Sequence, residues 1–198
     1  MEGGWIMIPL AALALICIYV FVERLIVISK ASRYDATFMK RIRDYVHEGE
    51  LESAINVCRA TPSVYGRMIE KGIKRIGRPT NDILAAVENA GNIEIANLSK
   101  GLPWLATTAA GAPMLGFLGT VIGMVQAFYS IANSGNAAQI NTFAGGIYTA
   151  LVTTVAGLIV GIAAMFAYNF LLSRINKTMQ LMEARIMEFM DLLNEPAS

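Results

Sequence analysis

The sequence predicts an all-α integral membrane protein with three transmembrane helices and a helical cytoplasmic module. Residues 101–173 contain no Asp, Glu, Lys, Arg or His, a run far longer than the about 20 apolar residues that cross a hydrocarbon layer. A second apolar run, Trp5 to Val22, precedes Glu23 and Arg24. The charged residues lie mainly between these runs and after the second one, although 55% of the 198 residues are hydrophobic. The expected organisation is 1–28, an N-terminal transmembrane helix; 29–101, a cytoplasmic helical module; 102–173, two further transmembrane helices with a short outer loop; and 174–198, a cytoplasmic C-terminal helix.

The first helix should run from Trp5 to Val22, with Leu25 to Ile28 continuing its apolar character. Only Glu2 precedes it, whereas a secretory signal carries a basic region there, so the segment is expected to remain uncleaved. Arg24, Lys30, Arg33, Lys40, Arg41 and Arg43 follow it. Such a concentration of positive charge belongs on the cytoplasmic side, which puts the N-terminus outside, with Trp5 as an interfacial anchor.

The module after it has a helical pattern with breaks at Gly49, Pro62 and Gly77-Arg78-Pro79, giving about three short helices. Thr61 before Pro62 reads as an N-cap with proline in the first helical position, and Thr80, Asn81 and Asp82 can cap the next helix. His47 has no second ligand-type residue at metal spacing and reads as a surface or packing residue. Cys17 and Cys58 form no C-x-x-C pair, so neither a disulfide nor a metal site is indicated.

The second span is expected from Leu102 or Pro103 to Ile131 and the third from Asn141 to Leu172, joined by an uncharged loop from Ala132 to Ile140. Lys100 before them and Arg174 with Lys177 after them place both outer ends in the cytoplasm. Gly119 with Gly123, and Gly157 with Gly161, have the G-x-x-x-G spacing that lets helix backbones approach closely in lipid. Gly116, Gly119, Gly123, Gly157 and Gly161, with Pro113, are therefore the candidate helix-packing residues. Packing within one subunit and packing between subunits both remain open. The polar residues in these spans are amides and hydroxyls, and a membrane threonine ordinarily bonds a carbonyl of its own helix. Thr120 and Thr154 stand out because each lies among glycines near the middle of its span.

After the third span, Ile175, Met179, Met182, Ile186, Phe189 and Leu193 recur at spacings of three and four, so the helix should continue as an amphipathic tail. It would pack on the 29–101 module or on a neighbouring subunit. The charge balance, 16 Lys and Arg against 15 Asp and Glu, gives no basic footprint, and no nucleic-acid partner is expected. No enzymatic reaction, cofactor or metal is indicated. The expected surroundings are membrane lipids.

The ordered run from Ala112 to Met124, APMLGFLGTVIGM, and the run from Gly146 to Leu158, GIYTALVTTVAGL, with Ala167-Tyr168-Asn169 beyond it, resemble the second and third spans of the MotA/TolQ/ExbB proton-channel family, specifically its ExbB/TolQ branch. The resemblance extends more weakly to Glu23-Arg24 and to Gly49 through Cys58. It implies a homo-oligomer, a pentamer, surrounding single spans of an ExbD/TolR-like partner whose aspartate takes up and releases the ion. Thr120 and Thr154, with Thr149, would line that path. A TonB/TolA-like or gliding-machinery partner would receive the work. The carboxylate absent from this chain's spans would be supplied by another polypeptide, where a polar lining hydrates it at lower cost than lipid. The chain departs from the resemblance at Thr149, where the family often carries glutamate, and at Ala163, where it often carries proline. H⁺ and Na⁺ both remain open. The competing expectation is a non-conducting membrane scaffold for a partner protein. A self-contained transporter is disfavoured by the lack of paired repeats and buried ionisable groups.

Overall fold

A computed structural model describes residues 4–33, 35–133 and 140–194, with the side chains of 133 and 140–142 left aside. Seven α-helices follow in order among these residues: α1 (Met7–Ala31), α2 (Phe38–His47), α3 (Leu51–Ala60), α4 (Val64–Ile73), α5 (Thr80–Ser99), α6 (Leu102–Asn133) and α7 (Ile140–Asn194). Three stretches, within Met7–Ala31, Thr80–Ala132 and Phe143–Asn194, are long and apolar enough to cross a membrane. The expected loop from Ala132 to Ile140 lies mostly outside the described residues. The chain divides into two compact units, residues 1–23 with 101–171, and residues 24–100 with 172–198.

In the first unit, Leu10, Cys17 and Val20 of α1 are buried, a stripe at helical spacing, and Ile6 just before the helix is buried too. Phe21 and Phe170 meet with ring centroids 6.3 Å apart. Pro9 falls in the first turn of α1, where its missing N–H breaks no helical bond. Helix α6 carries Pro113 in its interior. Its ring leaves the Ala109 carbonyl without a backbone donor, and that carbonyl lies 3.1 Å from the position a Cβ on Gly161 would take.

In the second unit, α2 to α5 are four helices rather than about three, because each of the three breaks, at Gly49, Pro62 and Gly77-Arg78-Pro79, separates two of them, and 80–99 is one continuous helix of 20 residues. The breaks contain Gly49 and Gly77, with φ of +77° and +94°, in the left-handed region where a side chain is strained. Two expected caps are corrected. Thr61 terminates α3, its hydroxyl donating to the Val57 carbonyl at 2.9 Å, while the N-cap of α4 is Ser63, whose Oγ accepts from the Gly66 N–H at 3.2 Å. Pro62 cannot begin α4 because the chain stays extended through Ser63. Pro79 occupies the N-cap position of α5, no side chain caps it, and Asp82 lies in the first turn, where its negative charge interacts favourably with the helix dipole.

Helix α7 covers 55 residues, Ile140–Asn194, so the tail is helical as expected. Its last part packs on its own chain's module: a Cβ on Gly72 would meet Phe189 Cε1 at 2.5 Å and Val87 Cγ2 at 2.6 Å, and one on Gly91 would meet Met182 Cε at 3.2 Å. The buried stripe differs from the expected seam at two positions, with Leu192 buried in place of Leu193 and Thr178 in place of Met179. Thr178 is 2% exposed while Met179 is 38% exposed, because 3.6 residues per turn carries the stripe through 175, 178 and 182. Thr178 meets Ser32, the residue after α1, hydroxyl to hydroxyl at 2.9 Å. Outside the core, Arg67 grips Glu94 through two bonds of 2.7 and 2.6 Å, and Glu70 receives Lys74 at 2.7 Å and Arg59 at 3.1 Å.

Candidate functional site

The site candidates sit on α6 and α7, whose facing stripes consist of small residues. On α6, Leu105, Thr108, Ala112, Gly116, Gly119, Gly123 and Ala127 are buried; on α7, Ala150, Thr153, Gly157, Gly161 and Ala164 are buried. Their spacings of three and four keep each set on one helix face. The helices run antiparallel in register. Cβ atoms built on Gly157 would lie 2.6 Å from the Ala112 carbonyl and 2.9 Å from Gly116 Cα, on Gly119 2.8 Å from Thr153 Cβ, and on Gly123 2.8 Å from Ala150 Cβ. A Cβ on Gly161 would lie 2.5 Å from Pro113 Cγ. Distances this short leave no room for a side chain. All of these contacts are made between two helices of one chain.

Thr154 reaches across this seam. Its hydroxyl donates to the Gly116 carbonyl at 3.0 Å, a polar link between the two helices. Thr120, one turn along α6 from Gly116, is half-buried and donates to its own helix at the Phe117 carbonyl, 2.6 Å away. Thr149, half-buried on α7, lies with its Cγ2 3.9 Å from where a Cβ on Gly4 would be. The structure thus brings Thr120 and Thr154 to the same stretch of the helix pair, through Gly116, and sets Thr149 more than a turn away on α7.

A hydroxyl has one hydrogen and two acceptor lone pairs. At Thr120 and Thr154 the hydrogen is committed to a carbonyl, so each oxygen has only acceptor capacity left for a third party. Such an oxygen can receive a hydrogen bond from water, a hydronium or a protonated carboxyl, or coordinate a cation. It cannot donate to a carboxylate without giving up its existing bond. No Asp, Glu, Lys, Arg or His occurs in 101–173, and no group of three or more His, Cys, Asp or Glu fit to hold a metal occurs among the described residues.

Thr153 is the residue that the reading of threonines as individually harmless passed over. It is 1% exposed, its hydroxyl donates at 2.7 Å to the Ala150 carbonyl, and it fills the notch of Gly119. The signal was the small-residue period on the two spans, in which Thr153 aligns with Ala150 and Gly157. The faces turned away from the seam are apolar and open: Phe117, Val121, Val125 and Phe128 on α6, and Leu151, Val155, Ile159 and Phe166 on α7, are each 39% exposed or more. A Cβ on Gly111 or Gly145 would meet nothing within 4 Å.

Residues 60–184 match the MotA/TolQ/ExbB proton channel family. The chain is 28% identical over 176 residues to a protein of Methanothermobacter thermautotrophicus named as a homolog of the biopolymer transport protein ExbB, covering 88% of this chain and 62% of that protein. It is 37% identical over 114 residues to the Tol-Pal system protein TolQ of Haemophilus influenzae, 58% of this chain and 50% of that one. It is 41% identical over 93 residues to the biopolymer transport protein ExbB of Xanthomonas campestris, 47% of this chain and 36% of that one. The chain therefore spans between about a third and two thirds of the length of these relatives.

Proposed function

Because the chain belongs to the MotA/TolQ/ExbB proton channel family, we propose that it is a stator subunit of an ion-motive-force-driven motor in the inner membrane. Several copies, five by the family resemblance, surround the span of an ExbD/TolR-like partner whose aspartate carries the ion. The work goes to envelope transport, envelope maintenance or surface motility, through a TonB/TolA-like or gliding-machinery protein. The N-terminus faces the periplasm, as the placement of Arg24 to Arg43 favours.

The observation that carries this reading is the pair Thr120 and Thr154, two hydroxyl oxygens with committed hydrogens in a stretch, 101–173, that has no Asp, Glu, Lys, Arg or His. A partner carboxyl entering beside them finds acceptors, so its protonated form is the one that gains a hydrogen bond. That holds the proton during passage past the apolar faces, and release follows where the carboxyl regains water. Thr149 extends the polar lining along α7. Each charge that falls through 100 mV supplies about 2.3 kcal/mol, available for moving the partner.

Thr120→Val and Thr154→Val keep the side-chain shape and remove the acceptor. Losing a buried hydrogen bond costs about 1 to 3 kcal/mol, which slows ion-driven work about tenfold or more, while the complex with the partner still purifies intact. Full ion-driven work in the double variant defeats the site assignment, and an intact complex that never conducts in liposomes makes the chain a scaffold. Proton and sodium gradients imposed separately on the same liposomes identify the ion.

A further inference from the structure

We propose that the cavity between α1 and α7 lined by Ser29, Ser32, Arg33, Arg174, Lys177 and Thr178 binds the phosphate headgroup of an anionic membrane phospholipid. The cavity has a volume of about 320 Å³, with Leu25, Ile28 and Leu181 completing its wall, within the range of small-ligand sites, about 300 to 1,000 Å³. Three of its nine lining residues are cationic and none is acidic. Its floor is built rather than incidental: Thr178 is 2% exposed, and its hydroxyl meets that of Ser32 at 2.9 Å, which ties the two helices together beneath the cations.

Position selects a lipid over other phosphate compounds. Arg174 immediately follows the charge-free run 101–173, and Leu25 lies just beyond the apolar run that Glu23 and Arg24 end. Both walls therefore begin where apolar helix gives way to charge, at headgroup depth. Basic pockets between helices at that level are suited to anionic headgroups, with a guanidinium pairing two phosphate oxygens and an ammonium acting as a point charge. The inference holds for either orientation of the chain in the membrane, so it stands or falls separately from the proposed motor function.

The full-length protein, purified in mild detergent and stripped of lipid, is titrated with phosphatidylglycerol, with phosphatidylcholine and with inorganic phosphate, and bound adducts are counted by native mass spectrometry. Phosphatidylglycerol is expected to bind most tightly. The variant Arg33→Gln/Lys177→Gln should bind it about tenfold more weakly, whereas Lys71→Gln/Arg78→Gln, with the same loss of charge outside the cavity, should bind as the wild type does. Arg33→Lys/Lys177→Arg should restore binding, and the thermal melt of each variant checks that it is folded. Undiminished phosphatidylglycerol binding by Arg33→Gln/Lys177→Gln overturns the site. Equal binding of phosphatidylcholine, or displacement of the lipid by inorganic phosphate at matching concentration, overturns the assignment to an anionic lipid.

Discussion

The hydroxyl of Thr154 donates to the carbonyl of Gly116 at 3.0 Å, joining α7 to α6 at the point where glycine lets the backbones come together. Thr120 makes its bond inside its own helix. The two threonines, equivalent in the sequence, therefore differ in what they contribute to stability. Interhelical bonds of this kind in membranes average about 0.6 kcal/mol, so Thr154→Val should lower the unfolding free energy in detergent by about that amount, and Thr120→Val should leave it unchanged. Equal melting points for the two variants would contradict this.

Glycine substitutions should divide by which face they occupy. Gly157→Leu puts a side chain where the Ala112 carbonyl lies 2.6 Å from the Cβ position, and overpacking of this kind costs about 1 to 3 kcal/mol or more. The protein is expected to accumulate poorly, through failure of its own helix pair before any assembly. Gly111→Leu meets open space and should accumulate normally. Membrane-fraction immunoblots of the two variants decide the matter.

Cys58 should be inert. It is 1% exposed between α3 and α4, and burial, reinforced by the negative charge of Glu70, pushes its thiol up to about 12. Almost no thiolate exists at pH 8, and the thiolate is the reactive form. In a Cys17→Ala background a thiol reagent should leave the folded protein unlabelled and label it fully after denaturation. Rapid labelling of the folded protein would show that the α3 and α4 contact opens.

Glu70 predicts a pH dependence of the second unit. Hydrogen bonds from Lys74 and then Arg59, with their charges, hold its carboxyl below the ordinary carboxylate range. A depressed folded value means that the stabilisation is complete above the unfolded value and is lost as pH falls through the folded one. Surface ion pairs contribute about 0 to 1 kcal/mol, so Glu70→Gln should cost at most that at pH 7. Stability measured at a pH low enough to protonate the folded carboxyl should be the same for the variant and the wild type. A difference that persists there would mean that the effect comes from packing.

The three long apolar stretches, the breaks at Gly49 and Gly77, and the family were legible in the sequence because each rests on a local property. These are the length of a run without charge, the need for a left-handed backbone, and an ordered motif. The extension of α7 to Asn194 was legible for the same reason, since its apolar period never breaks. Capping was misread at Thr61 because Thr-Pro is equally compatible with the end of one helix and the start of another, and only the fold shows that Ser63 carries the bond to Gly66.

By itself the sequence determined that the two long apolar runs within 101–173 suit an apolar medium and hold no Asp, Glu, Lys, Arg or His, groups that hydrocarbon penalises. Only the tertiary structure decided that the glycines of α6 and α7 close on each other within one chain, that Thr154 spends its hydrogen on Gly116 while Thr120 spends it at home, and that Thr178 rather than Met179 is buried. A spacing of four names a helix face but not what meets it. That partner is set by the register of two helices 30 or more residues apart in the chain, which no local pattern records.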